Sequence, residues 1–396
     1  MKNNFLILSF ALTFLLASCE KTISEGPMEN EVLDGQVEGL SYQESIQFLK
    51  GDEAFAEVFT SSKGLGPVFV ATSCISCHAG DGKGHPSTTL TRFGQIDGTG
   101  NLFLDFGGPQ LQNRAIPGYE PEQIPNGATS TKLTPPMNTG LGFLDAVLDA
   151  DIIAMSDPND NDGDGISGIP NWIELPSYSI LRANAISQNG KYIHRFGKKA
   201  AAYDLLHQTV NAYNQDMGIT SSFDPMDTFS GLEIDPEVSN NIVNDVVFYL
   251  KTLKAPIRRN ADNAEVLSGG NLFSQIQCAS CHKPTLQTGN SSINALSNKI
   301  FHPYTDLLLH DMGSELDDGY TEGNATTAEW RTPPLWGLGL APDAQGGQYF
   351  LMHDGRATSI NEAILLHGGE ASNSKLQYQN LSEIEKNELI KFLESL

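Results

Sequence analysis

The chain has 396 residues with 39% hydrophobic content, enough for two or three domains with apolar cores. Its formal charge is −24, with 48 acidic against 24 basic side chains, which excludes a role built on phosphate-backbone contacts; no nucleic acid is expected as a partner. The acidity suits docking to a small basic redox protein such as a cytochrome c, and is also common among exported proteins.

At the N-terminus, Lys2 precedes an apolar run over residues 5–16, short of the about 20 residues a membrane span needs. Leu16-Ala17-Ser18-Cys19 follows. Small residues ahead of a Cys at this distance resemble a bacterial lipoprotein signal, cleaved before Cys19 and lipidated on its thiol; a plain secretory leader is the alternative. Residues 1–18 are expected as signal peptide and 19–40 as tether. The mature protein is expected to be lipid-anchored in the bacterial cell envelope, periplasmic or associated with the outer membrane.

Phe55, Val58 and Phe59 mark one face of a helix. Cys74-Ile75-Ser76-Cys77-His78 then has the attachment pattern of a c-type haem: two thiols spaced to add to the two vinyl groups of one porphyrin, and a His to lie under the iron. A redox dithiol needs no following His, and a structural zinc site closes with a second Cys/His pair nearby. A second copy, Cys278-Ala279-Ser280-Cys281-His282, follows a helix marked by Leu272, Phe273 and Ile276. Two covalently bound haems c are expected. The two motifs and Cys19 account for all five cysteines, leaving none for a structural disulfide.

Other markers recur in the same order. Thr134-Pro135-Pro136 leading to Gly140-Leu141-Gly142 is matched by Thr332-Pro333-Pro334 leading to Gly337-Leu338-Gly339. A helix with Val243, Val246, Val247, Leu250 and Leu253 on one face is answered by one with Leu389, Phe392, Leu393 and Leu396, opened by the capping box Ser382-x-x-Glu385. The fold expected is mainly α: two cytochrome c-like haem modules with long irregular loops, at 41–255 and 256–396, jointed at Ala255-Pro256. The first module carries an insertion at about 156–240. That insertion opens with Asp160, Asp162 and Asp164 in an Asp/Gly alternation that fits the start of a calcium loop, although Asn171 stands where an EF-hand has its bidentate Glu. A solvated acidic turn is the alternative.

The chemistry of each haem depends on its second axial position. After Met352-His353-Asp354-Gly355-Arg356 comes a short helix with Ile360, Ala363 and Ile364 on its packed face, ending at His367 before Gly368-Gly369. On the residues alone, His367 is either an axial ligand swung out at the glycine turn or a helix-terminal His favoured by the macrodipole.

Arg331-Thr332-Pro333-Pro334-Leu335 together with Met352-His353-Asp354-Gly355-Arg356 resembles the bacterial dihaem cytochrome c peroxidases and the dihaem enzyme that matures methylamine dehydrogenase. Nearly the whole mature chain looks like the di-haem oxidoreductase, putative peroxidase family. That likeness rests on His310-Asp311-Met312-Gly313 after Asp306, on Trp330-Arg331 and Trp336, and on His353-Asp354-Gly355-Arg356. Ala115-Ile116-Pro117-Gly118, Asp162-Gly163-Asp164-Gly165 and Arg195-Phe196-Gly197 extend it. The family is also labelled thiol oxidoreductase, but no Cys is free here for thiol chemistry. At the spacing of His367 from His353 the peroxidases have a Met ligand and the maturation enzyme a Tyr. The resemblance therefore implies that His282 and His367 hold the second iron, at a lower potential than His/Met ligation gives.

Overlaying the repeats puts Ala150 where the second half has His367. The first iron is thus expected to be open, or reached by His85, Met137 or Met155. The peroxidases' catalytic Glu has no clear counterpart. Nearby carboxylates are Asp81, Asp105, Glu120 and Asp145, with Arg92 and Arg114 available to an anion. His310 and His353 are read as hydrogen-bonding groups around the second haem, and Trp172, Trp330 and Trp336 as core or as electron relays. The resemblance implies reduction of peroxide or a related oxidant at the first haem, with electrons from the second. A non-catalytic envelope electron carrier with two closed irons is the alternative, and oxidation of a protein side chain, as in the maturation enzyme, a third.

Overall fold

The computed structural model describes residues 27–94, 96–97, 100–101 and 109–396. The leader over 1–18, the lipidation residue Cys19 and Asp105 lie outside the described residues.

Six of the α-helices position the site: α1 (Tyr42–Ala56), α2 (Leu205–Asn211), α3 (Asn240–Thr252), α4 (Ala264–Gln275), α5 (Ile360–Leu365) and α6 (Glu383–Ser395). Each long helix starts at a Ser or Asn whose side chain accepts a first-turn amide: Ser41, Ser239, Asn263 and Ser382. α1 packs on α3, and α4 packs on α6.

The two pairs are built by the same device. A Cβ at Gly51 would overlap the Asp245 carbonyl and Tyr249, and one at Gly269 would overlap the Glu388 carbonyl and Phe392. Glycine thus lets the backbones approach closely in both pairs. One turn later Phe55 meets Tyr249 at a ring separation of 5.3 Å, and Phe273 meets Phe392 at 5.3 Å. The Thr-Pro-Pro loops are clipped to the closing helices in parallel fashion. The Gly140 amide donates to the Leu253 carbonyl and the Gly337 amide to the Leu396 carbonyl. Both glycines need a left-handed backbone, at φ +71° and +69°.

The helical expectation holds for these pairs, but helix makes up 34% of the described residues and strand 13%. The connections run as loops and, among the described residues, as five two-stranded ladders and one three-stranded sheet. With 38 Gly and 20 Pro, the sequence breaks its own periodicity too often for longer elements. The 156–240 segment contributes the three-stranded sheet (Asn171–Ile173, Lys191–His194, Ser187–Gln188), α2, and a π turn at Ala212–Asp216.

The larger core draws on residues from Val37 to Leu253 and also takes Leu286, Ile293, Leu296, Leu308 and Trp336; the smaller one lies around α4 and α6. The segment expected as a tether is docked from Leu33 onward. Leu33 and Val37 are buried, the Val37 amide donates to the Thr252 carbonyl at 2.7 Å, and the Lys254 amide donates to Gly35 at 2.9 Å. Two apolar side chains and this ladder hold it where the chain leaves α3.

Candidate cofactor cavity

Both Cys-x-x-Cys-His segments open into one continuous, mostly apolar cavity with about 2900 Å³ of empty space, open in part to solvent. Each motif is a tight turn: the His78 amide donates to the Cys74 carbonyl at 3.1 Å, and the His282 amide to Cys278 at 3.0 Å. The four thiols are unpaired. Burial pushes Cys74 and Cys278 up to about 12, the reverse of what an activated redox dithiol requires.

His282 stands on the Phe273 ring, 6.4 Å between centroids, and its Nδ1 lies 3.0 Å from the Tyr304 carbonyl. His367, just past the end of α5, has its Nδ1 2.7 Å from the Ala363 carbonyl. A carbonyl only accepts, so in both rings Nδ1 carries the proton and Nε2 keeps its lone pair. Burial holds both rings neutral, with His282 lowered to about 4. Their centroids lie 6.5 Å apart. Two imidazoles on opposite sides of one metal ion, at about 2.0–2.1 Å per nitrogen, have centroids roughly 6.3 Å apart. The observed separation is close to that value.

His78 stands on Phe55 in the same way, at 6.2 Å, and burial lowers it to about 4. Its buried Nδ1 feels the Pro136 carbonyl, which raises the pKa slightly, but lies outside hydrogen-bond geometry. Among the described residues Phe55 is its ring neighbour, and no second imidazole faces it. Ala150 is exposed and off the cavity. His85 is also off it, with Nδ1 against Ser87 and its ring against Phe350. Met155 packs against the core, whereas Met137 lines the cavity.

Lys83, Lys198 and Arg331 also line the cavity, and among the described residues none is in an ion pair. Lys83 Nζ donates to the Met352 carbonyl at 3.2 Å and Arg331 Nε to the Gly197 carbonyl at 2.9 Å. Burial lowers all three, Lys198 to about 8 and Arg331 to about 10. Cations that face an apolar cavity, with Asp354 and Asp306 nearby but not in ion-pair contact, fit a ligand that brings carboxylates, as a haem does with its propionates.

Among the described residues, none of Asp81, Glu120, Asp145, Arg92 and Arg114 lines the cavity. Asp81 accepts from the Tyr249 O–H at 2.9 Å, and burial lifts it to about 6. For Asp145, burial acts upward, but Lys251 at 3.0 Å and Arg182 at 3.2 Å outweigh it and hold it at about 2. Arg92 is engaged by Glu322 at 2.9 Å and Tyr320 at 3.1 Å. Glu120 and Arg114 are exposed. Asp216, which the sequence analysis passed over, does line the cavity.

Trp330 and Trp336 face the cavity, with His353 stacked on Trp330 at 3.8 Å; Trp172 packs against the larger core. His310 sits between Asp306 at 2.9 Å and Glu370 at 2.6 Å, with Cys281 Sγ at 3.6 Å. Burial opposes its charge, but these partners hold its pKa well above the usual value. Glu370 also accepts from the Ser167 amide at 3.1 Å, tying the 156–240 segment to the second motif. Asp160, Asp162 and Asp164 are exposed, with ligand atoms within 4.8 Å of one another. Each carboxylate accepts an amide of its own loop, from Gly165, Asp164 and Ile166 respectively.

The family model described as "Di-haem oxidoreductase, putative peroxidase" matches residues 128–396, more than half of the chain. The chain belongs to this family. Membership makes it an oxidoreductase with two haem groups, and the matched span contains the second motif but not the first. A search of curated proteins gives no match. Among solved structures, a Kuenenia stuttgartiensis hydrazine synthase pressurised with xenon is similar at 13% identity and a TM-score of 0.37, over 96% of this chain and 98% of that one. A MauG-like protein associated with microbial copper homeostasis is similar at 16% identity and 0.33, over 65% and 89%. Neither likeness is strong enough to carry an argument.

Proposed function

We propose that this di-haem oxidoreductase is a peroxidase-type cytochrome whose second site is an electron entry point and whose first site is where the oxidant reacts. The observation that carries the reading is the contrast in axial groups. His282 and His367 are spaced around one ion, 6.5 Å between centroids, whereas His78 faces no second imidazole. Cys74 and Cys77 would attach one haem and Cys278 and Cys281 the other, with His78 and His282 beneath the irons. Bound haem supplies one-electron redox chemistry and, where an axial position is open, a place for a small oxidant.

The protein's own part follows from what lines the cavity. The Tyr304 and Ala363 carbonyls fix the tautomer and direction of His282 and His367. Lys83, Lys198 and Arg331 receive the cofactors' carboxylates, and the apolar walls exclude bulk water. The net reaction is hydrogen peroxide plus two electrons and two protons giving two waters, with a small redox protein such as a cytochrome c as donor. Lipidation of Cys19 would hold the enzyme at the bacterial envelope, and calcium at Asp160, Asp162 and Asp164 would brace the loop that reaches Glu370.

The test is a haem-stained denaturing gel with stopped-flow turnover. Wild type should stain, and Cys74→Ala and Cys278→Ala should each lose about half the stain. Peroxide should oxidise reduced cytochrome c only when both sites are loaded. Absence of stain, or turnover that survives loss of the first site, contradicts the reading.

A further inference from the structure

The 156–240 segment places a polar stripe in the apolar cavity beside the first motif. Along α2 and the π turn that follows it, Gln208, Thr209, Tyr213 and Asp216 all line the cavity. π turns within helical segments are frequent at functional positions. Thr209 Oγ1 and the Tyr213 hydroxyl are buried without a hydrogen-bond partner, on residues only 4% and 1% exposed. The Asp216 carboxylate receives no side-chain or backbone hydrogen bond among the described residues; only its backbone carbonyl is used, by the Val70 and Ala71 amides. Buried polar groups are normally satisfied, so the two unsatisfied hydroxyls, with the half-buried and unbonded Asp216 carboxylate on the same stripe, mark a place for a polar ligand.

The stripe belongs to the first site. Asp216 acts electrostatically on both Cys74 and Cys77, and Tyr213 is coupled to Cys74. The charged and titratable groups facing Asp216 are Arg92, from the strand Leu90–Phe93, and Cys74 and Cys77 on the motif turn; Tyr213 lies on its own turn and faces Cys74. Thioether formation would remove the two thiols from any titration, and Arg92 keeps its charge through Glu322.

We propose that Asp216 is the acid–base group of the first site, with Tyr213 and Thr209 orienting a small oxygen ligand such as hydrogen peroxide beside it. This deepens the reading above and rests on it. Asp216 takes the proton from the entering peroxide and returns it to the departing oxygen. The O–O bond breaks with two electrons from the reduced redox partner, two further protons enter from solvent, and two waters leave. The carboxyl ends the cycle as it began. Burial lifts Asp216 to about 7, with Arg92 pulling the other way. That is where a group must lie to both take and give a proton at neutral pH.

Cyanide binding to the ferric holoprotein is the test, since hydrogen cyanide must shed its proton to bind and no turnover is needed. The wild-type association rate should change through one inflection near pH 7. Asp216→Asn should lose that inflection and bind about 10²-fold more slowly, Asp216→Glu should restore part of the rate, and Tyr213→Phe should keep the inflection with a weaker complex. A wild-type profile flat from about pH 5 to 9, or an Asp216→Asn profile superimposed on wild type, overturns the proposal while leaving the first site open. No cyanide binding in either protein overturns the proposal together with the reading beneath it.

Discussion

The two Cys-x-x-Cys-His sites share a scaffold and differ in what faces the histidine. Gly51 and Gly269 bring paired helices together, Phe55 and Phe273 lie beneath His78 and His282, and the Thr-Pro-Pro loops are clipped to the closing helices by the same amide. Opposite His282 stands His367, just past the end of α5, with its Nδ1 on a helical carbonyl and, among the described residues, no hydrogen bond at Nε2. Around the first site there is instead a stripe of unsatisfied polar groups from the inserted segment. One duplicated frame thus carries a second imidazole opposite one motif histidine and, among the described residues, none opposite the other, and the difference lies in a few side chains on connecting segments.

The sharpest way to break the comparison is to remove the residue that makes the sites unlike. His367→Ala should abolish the low-spin ferric signal of the second site entirely and leave the high-spin signal of the first unchanged, as read by electronic absorption. A second site still low-spin would mean that another group holds its iron.

Next in size are the shared features. Gly51→Ala and Gly269→Ala should each cost about 2–3 kcal/mol in chemical unfolding, because each new methyl meets a backbone carbonyl that cannot yield. Similar costs sharpen the claim of a duplicated frame, and a cost at only one position breaks it.

A smaller, pH-dependent effect separates the sites. Asp81 has its carboxyl raised from 3.8 to about 6 by burial, against the Tyr249 hydroxyl; the second site has Phe392 in place of Tyr249. A raised carboxyl binds its proton more tightly in the folded state. Its contribution is therefore full below pH 3.8 and lost as pH rises through about 6. Asp81→Asn should accordingly stabilise the protein by about 1–2 kcal/mol at pH 8 and by almost nothing at pH 4. Equal effects at both pH values would contradict this.

The smallest expected effect is on the acidic loop: calcium added after chelation should raise the melting temperature by roughly 1–3 °C, and Asp162→Asn should erase the gain. No shift would leave an acidic turn that caps its own amides.

Much of the second site was legible in the sequence because its parts lie on short, regular signals. Cys278, Cys281 and His282 fall within five residues, and His367 follows the apolar face of Ile360, Ala363 and Ile364 and stands before two glycines. The first site was legible only in its motif. Its polar stripe comes from residues far along the chain, on a seven-residue helix with no outward periodicity, and a π turn sets the register of Asp216. Proximity to Cys74 is a tertiary fact that local pattern does not encode. The glycine–phenylalanine pairs did carry a signal, the same four-residue spacing in both helices. Leu33 and Val37 were passed over because two apolar residues in a polar stretch look like a tether until the chain leaving α3 is found beside them.

The most direct test of two unlike sites on one frame is a low-temperature EPR spectrum of the oxidised holoprotein, repeated after half-reduction. One high-spin and one low-spin ferric signal are predicted, with the low-spin one lost in His367→Ala. Two low-spin signals that persist on half-reduction would mean that both irons are closed, and would contradict the account.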